Sequence, residues 1–234
     1  MAELFSEQRN AQTAAETSSP RWDHELGMRL RRNWVLTLIG TTLFNALFFI
    51  GYFHVQQYPA YVPITMPATS LDLLISYQPQ FLSAYVSLWI YVGAGPALQR
   101  SFSEIAVYAL WMAGLCVAGL GIFYFWPTQV PPLPRGAATL SGLDLLHRLD
   151  EAGNACPSMH VAAATFTLLR LDEVLRSTRA PLSLRLINSA WFVVIAYSTM
   201  AIKQHMAIDV AAGALLGLMF VLPSLRWRPK PAPC

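Results

Sequence analysis

Charge is what this chain has least of. Only 12% of its 234 residues are Asp, Glu, Lys or Arg, while 55% are hydrophobic; a soluble domain carries about 25% charged residues. That scarcity excludes an ordinary soluble domain and implies a membrane protein. Cysteine is scarce too: Cys116 lies in an apolar run, Cys156 beside a polar cluster and Cys234 at the terminus. An odd, scattered set excludes a disulfide framework. Cys156 reads either as a reactive thiol or as a small apolar packing residue. The first 19 residues lack the basic start and apolar core of a signal peptide. No internal repeat or long low-complexity segment is present.

Long hydrophobic runs are abundant instead. A spanning helix needs about 20 apolar residues. Residues 34–53, 81–98, 105–126, 186–202 and 206–225 meet that requirement. Residues 157–171 are shorter, but reach across if extended to about Val174, with Arg170 snorkelling at the end. Backbone groups in lipid must be satisfied internally, so the spans are helices. The expected fold is all-α: a polytopic membrane bundle of about six transmembrane helices, with short interfacial helices on the outer side. One such helix is expected at 71–75. The other is expected at 141–152, capped by Ser141 with Asp144 three residues on. Gly213 and Gly217 in the last span allow close helix packing. The domain reading is a cytoplasmic tail with a basic juxtamembrane segment over 1–33, a six-helix membrane domain over 34–227, and a cytoplasmic tail over 228–234. The basic segment 21–33 interleaves Arg with Trp22, Leu26, Met28 and Leu30. Directly before a span, this favours the membrane interface over nucleic acid as its partner.

The net charge is a modest +3, but its distribution is informative. With the N-terminus inside, thirteen of the sixteen Lys and Arg residues are cytoplasmic, and only Arg135, Arg148 and Lys203 lie outside. That topology puts both termini inside and brings two histidine clusters together on the outer face.

The clusters are Pro157-Ser158-Met159-His160 and the stretch Ser198 to Asp209, which contains His205. Ionisable groups at a membrane edge are costly, so they are functional candidates. Pro157 suits a first helical turn, whose free N–H groups and positive dipole end favour an anion. His205 and Asp209 are four apart and share a helix face. A carboxylate near an imidazole N–H orients the ring and leaves its other nitrogen free to attack. Two histidines, a carboxylate and an anion-binding turn suit phosphoryl transfer through a phosphohistidine, without a metal.

Pro157-Ser158-Met159-His160 resembles the Pro-Ser-x-His motif of the type 2 phosphatidic acid phosphatase superfamily. Ser198, His205 and Asp209 match the spacing of its Ser-Arg-x5-His-x3-Asp motif, with Thr199 where Arg is usual. The superfamily's Lys-x6-Arg-Pro motif is absent. The stretch from Phe125 to Arg135, with Gln204-His205 and Ser70-Leu-Asp72, is similar to the inositol-phosphorylceramide-synthase-like branch. The resemblance spans roughly Pro67 to Gly217 and implies no metal and no cofactor.

On this reading His205 is the nucleophile and Asp209 orients its ring. His160 is the general acid and base. Ser158 and its helix start hold phosphate oxygens, although Ser158 also reads as a plain N-terminal helix residue. Ser198 is a further phosphate-binding candidate, equally readable as structural. With Thr199 replacing Arg, Arg135 and Lys203 are the expected substitute cations, and Arg148 a surface charge. A zinc site of His160, His205 and Asp209 is the chemical alternative. The expected function is hydrolysis of a lipid phosphate or pyrophosphate in the membrane. The alternatives are transfer of a phospho-headgroup to a lipid alcohol, or a silent scaffold or transporter. The lack of a signal peptide fits a bacterial inner membrane as well as an internal eukaryotic one; the bacterial inner membrane is the expectation carried forward.

Overall fold

The protein is an all-α membrane helical bundle. The computed structural model describes residues 21–132 and 153–227. In chain order its elements are α1 (Trp22–Gln57), β1 (Ile64–Thr65), α2 (Ser70–Leu74), a 3-10 turn (Pro79–Phe81), α3 (Leu82–Val86), α4 (Leu88–Ala97), α5 (Phe102–Phe125), β2 (Thr128–Gln129), α6 (Met159–Ser177), α7 (Leu182–Ala201) and α8 (Ala207–Arg226). Four of these, α1, α5, α7 and α8, are long and apolar enough to cross a membrane. Their hydrophobic patterning is inverted relative to a soluble protein. On α1, Leu36, Ile39, Leu43, Leu47 and Ile50 recur at helical spacing and are exposed, the face lipid would cover.

Two expected spans differ. The segment 81–98 is divided into α3 and α4 at Ser87, which keeps right-handed helical dihedrals: its N–H bonds the Ser83 carbonyl and its carbonyl accepts from Tyr91 N–H, each at 3.0 Å, while its hydroxyl donates to the Ala84 carbonyl at 2.6 Å. The other, α6, is too rich in charge to qualify as a lipid-facing span, because it carries Arg170, Asp172, Glu173 and Arg176. It does not face lipid, since α4, α5, α7 and α8 all pack against it. Val161, Ala162, Ala164 and Phe166 are fully buried on it.

Nor does Arg170 snorkel. It is buried, with Nη2 donating to Gln99 Oε1 at 3.0 Å and Nη1 to the Ser224 carbonyl at 3.4 Å. Its guanidinium lies over the ring of Tyr108, 5.9 Å from the centroid. The enclosing helices supply polar partners, so the head group has no need to reach water.

The expected close approach of the last helix is realised. A Cβ on Gly213 would run into the Ser158 carbonyl, and one on Gly217 into the Ala162 carbonyl and Thr165. These two glycines seat α8 directly on the backbone of α6. Away from the histidines, the base of α1 clamps the α4–α5 turn. Asn33 donates to the carbonyls of Ala97 (3.1 Å) and Gln99 (2.9 Å), and Arg29 to that of Leu98 (3.3 Å). The basic segment thus continues as the first turns of α1.

At the histidine end, β1 pairs in parallel with β2, Ile64 opposite Thr128 and Thr65 opposite Gln129. Thr69 caps α2, and Asp72 returns a bond to the Thr69 N–H. Leu71, Leu73 and Leu74 of α2 are exposed while Asp72 is buried, the polarity of a helix lying on a lipid surface. The expected helix at 141–152, with Ser141 and Asp144, lies outside the described residues, as do Arg135 and Arg148.

Candidate active site

The start of α6 and the end of α7 are set by local chain chemistry. Ser158 is the N-cap of α6: its Oγ accepts from Val161 N–H at 3.3 Å. Its own N–H donates to the Asp209 carbonyl at 2.9 Å. Those two bonds use the first and fourth amides of the turn; the N–H groups of Met159 and His160 have no partner among the described residues and can serve an anion.

The end of α7 is a Schellman turn. Gln204 N–H bonds the Thr199 carbonyl at 3.0 Å and Lys203 N–H that of Met200 at 3.1 Å. Lys203 holds the left-handed position with φ 61°, where glycine is usual. The turn folds the chain back so that His205, whose N–H also reaches the Thr199 carbonyl at 3.1 Å, faces α6. Thr199 stands where the resembled motif has Arg, and it contributes through its backbone.

The Nδ1–H of His205 donates to the Ala155 carbonyl at 2.9 Å. A carbonyl only accepts, so Nδ1 carries the proton and Nε2 keeps its lone pair. Ala155 is itself fixed by β2: its N–H donates to the Thr128 carbonyl at 3.1 Å, and Cys156 N–H to Thr128 Oγ1 at 2.8 Å. Asp209 is the more distant partner of the ring, with Oδ2 3.9 Å from Nδ1. That oxygen accepts from Met206 N–H at 2.7 Å and caps α8. Burial pushes His205 down to about 4, against a weaker upward pull from the Ala155 bond. The ring is therefore neutral at pH 7. Burial, followed by the neighbouring Asp209 carboxylate, pushes the Cys156 thiol up to about 11. It is a protonated thiol, which favours packing over reactivity.

His160 opens α6 and faces His205, with ring centroids 5.9 Å apart. The two imidazoles are thus neighbours at one end of the bundle. Tyr85 stacks on His160 at 4.2 Å, and its hydroxyl stands 3.5 Å from Nδ1. Trp89 meets the ring edge-on at 5.9 Å. Nε2 of His160 is buried and makes no hydrogen bond among the described residues. The sequence reading missed Tyr85 and Trp89; their spacing of four, one face of a helix, was the available signal.

The remaining candidates divide. His160, His205, Asp209 and Ser158 converge on one end of the bundle. Ser198 is fully buried and its hydroxyl turns back to the Ile195 carbonyl at 2.6 Å. Lys203 Nζ donates to the carbonyls of Asp72 (2.8 Å) and Ile75 (2.5 Å), closing the C-terminus of α2. Asp72 in turn accepts from Ala207 N–H at 2.8 Å. Burial alone would raise the Asp72 carboxyl, but the bonds from Thr69 and Ala207, and the charge of Lys203, hold it below the ordinary range. Asp72 and Lys203 thus brace the turn that presents His205. Among the described residues, no three His, Cys, Asp or Glu side chains converge as a metal site.

The family model described as the PAP2 superfamily matches residues 105–232, which contain both histidine clusters. No curated protein and no solved structure matches the chain.

Proposed function

The chain belongs to the PAP2 superfamily, an integral membrane enzyme of the phosphatase and phosphotransferase type acting on lipid phosphates, and from that premise we propose that it hydrolyses a lipid phosphate or pyrophosphate through a phosphohistidine. The observation that carries the reading is the facing pair of imidazoles, 5.9 Å apart, with His205 fixed through Nδ1. Nε2 of His205 attacks phosphorus as the bond from phosphorus to the lipid oxygen breaks. Protonated His160 gives its proton to the departing alkoxide. A water then attacks the phosphohistidine and gives its proton to His160; phosphate leaves, and the lone pair returns to Nε2. Ser158 and the free amides of the α6 start bind the phosphate oxygens. Arg135 supplies positive charge in this scheme, with Lys203 acting on the turn. No step calls on a metal or a cofactor.

With a phospholipid donor, His205 takes the phospho-headgroup as the bond to the diacylglycerol oxygen breaks, and a lipid alcohol in place of water then makes the enzyme a phosphotransferase, the outcome suggested by the similarity to the inositol-phosphorylceramide-synthase-like branch. In the proposed topology both termini are cytoplasmic and the histidines face the outer side, as for a bacterial inner-membrane enzyme. The test is mass spectrometry of products from purified protein given a panel of lipid phosphates, pyrophosphates and phospholipids, with and without a lipid alcohol. Free phosphate with a chelator present supports the reading. A phosphorylated acceptor selects the transferase, and no product from any lipid rejects both.

A further inference from the structure

A cavity of about 400 Å³ runs between α1, α3, α4, α5 and α6, and His160 forms part of its wall. We propose that it holds one hydrocarbon chain of the lipid whose phosphate sits between His160 and His205, a proposal that rests on the lipid-phosphate reading of that site.

The lining names the occupant. Phe44, Phe48, Trp89, Val92, Met112 and Ala163 supply aromatic, aliphatic and thioether surface. Such a wall rewards apolar contact and offers a polar ligand little. Close-packed interiors have few voids larger than a water molecule, whereas ligand pockets run about 300–1,000 Å³. The volume belongs to the second class.

The shape gives the direction and the length. His160 ends the cavity on the side of the paired rings, so a chain lying in it delivers its phosphate end to them. Phe44 and Phe53 both line it and lie nine residues apart on α1, about 13 Å at 1.5 Å per residue. A zigzag chain advances about 1.25 Å per carbon, from a 1.5 Å bond and an angle near 111°. The cavity therefore takes about ten carbons. Of its lining residues only Phe53 and Val86 are exposed, at 42% and 48%. They sit on neighbouring helices at the histidine end and form a lateral mouth. A chain enters there from the bilayer, and a second chain stays in lipid.

The walls contributed by α1 and α4 precede residue 105, where the family match begins. Chain selection is thus written largely in residues outside the stretch that carries the chemistry.

Two readouts on the full-length protein test this. The first is kcat/KM for water-soluble n-alkyl phosphates of increasing length, with nitrophenyl phosphate as the chainless control. Each methylene should raise it about fourfold, the equivalent of burying one CH₂ group, up to about ten carbons, the length the helix rise allows, with a plateau beyond. Ala163→Trp or Val92→Trp should move the plateau to shorter chains and Phe48→Ala to longer ones. Leu47→Trp, on the lipid-facing side of α1, should leave it in place. Nitrophenyl phosphate turnover with no dependence on chain length overturns the cavity and leaves the phosphatase reading standing. The second readout needs no turnover: a decyl phosphonate with a terminal diazirine. Label on Phe44, Phe48 or Met112 that Ala163→Trp or Val92→Trp removes supports the proposal even if no phosphate ester is cleaved. Label confined to Leu43, Leu47 and Ile50 overturns it.

Discussion

Nδ1 of His205 and the carbonyl oxygen of Ala155 are 2.9 Å apart, and that bond sets the tautomer on which the proposed nucleophile depends. The carboxylate expected in that role, Asp209, stands 3.9 Å from the same nitrogen and holds the α8 start through Met206 N–H. The division leads to a first prediction. Asp209→Asn keeps an acceptor for Met206 N–H and leaves the Ala155 bond intact. It should fold normally and lose about 10–100-fold in kcat/KM, the range for an indirect partner. Losing a carboxylate bonded directly to the ring costs about 10⁴. Asp209→Ala also removes the cap and should lower stability by about 1 kcal/mol. Thermal unfolding and steady-state kinetics on both variants check this.

The pH profile follows from the burial of His205. Its folded value is about 4 against an ordinary 6.5. The acid limb of kcat/KM, corrected for substrate ionisation, should fall near pH 4 and not near 6.5. The unfolded chain binds the extra proton between those values, so this histidine's contribution to stability is complete above pH 6.5 and is lost as pH drops towards 4. A melting temperature falling across that window in the wild type, and flatter in His205→Gln, is the expected result.

Lys203 separates bracing from phosphate binding. Its left-handed backbone is unfavourable by about 1–2 kcal/mol for a residue with a Cβ, while Nζ ties down α2. Lys203→Met keeps the backbone cost and loses the ties; Lys203→Gly loses the ties but relieves the backbone. Met should therefore melt lower than Gly. Vanadate affinity should fall in Arg135→Ala. Equal vanadate losses in the Arg135 and Lys203 variants, with unchanged melting, would return Lys203 to the phosphate.

The glycine seats make a fourth prediction. Gly213→Ala drives a Cβ into the Ser158 carbonyl and should cost about 1–3 kcal/mol, as overpacking does. It should also lower activity, because it displaces the cap of α6. Gly121→Ala in α5 meets nothing within 4 Å and should be neutral or stabilising by up to about 1 kcal/mol. Melting curves of the two variants in one detergent give the comparison.

The sequence revealed the helices that face lipid, because twenty apolar residues in a row have one physical use. It was less explicit about α6, whose charges are tolerated only because other helices surround it. His160, His205, Asp209 and Ser158 were legible as candidates, and the structure brings them to one end of the bundle. The Ala155 carbonyl was not, since every residue has one and only the path through Thr128 makes this one special. Lys203 was read as a free cation because a lysine in a left-handed Schellman position has no sequence signature; glycine is what announces that turn.

The central claim is that His205 carries the phosphoryl group. Rapid quench with phosphorus-labelled lipid phosphate, followed by peptide mapping under conditions that preserve acid-labile phosphohistidine, measures it directly. Label is expected on the peptide containing His205, none in His205→Ala, and persistent label in His160→Ala with an activated leaving group such as a nitrophenyl phosphate. Label on the peptide containing His160, or chelator-sensitive turnover with no labelled histidine, would contradict it.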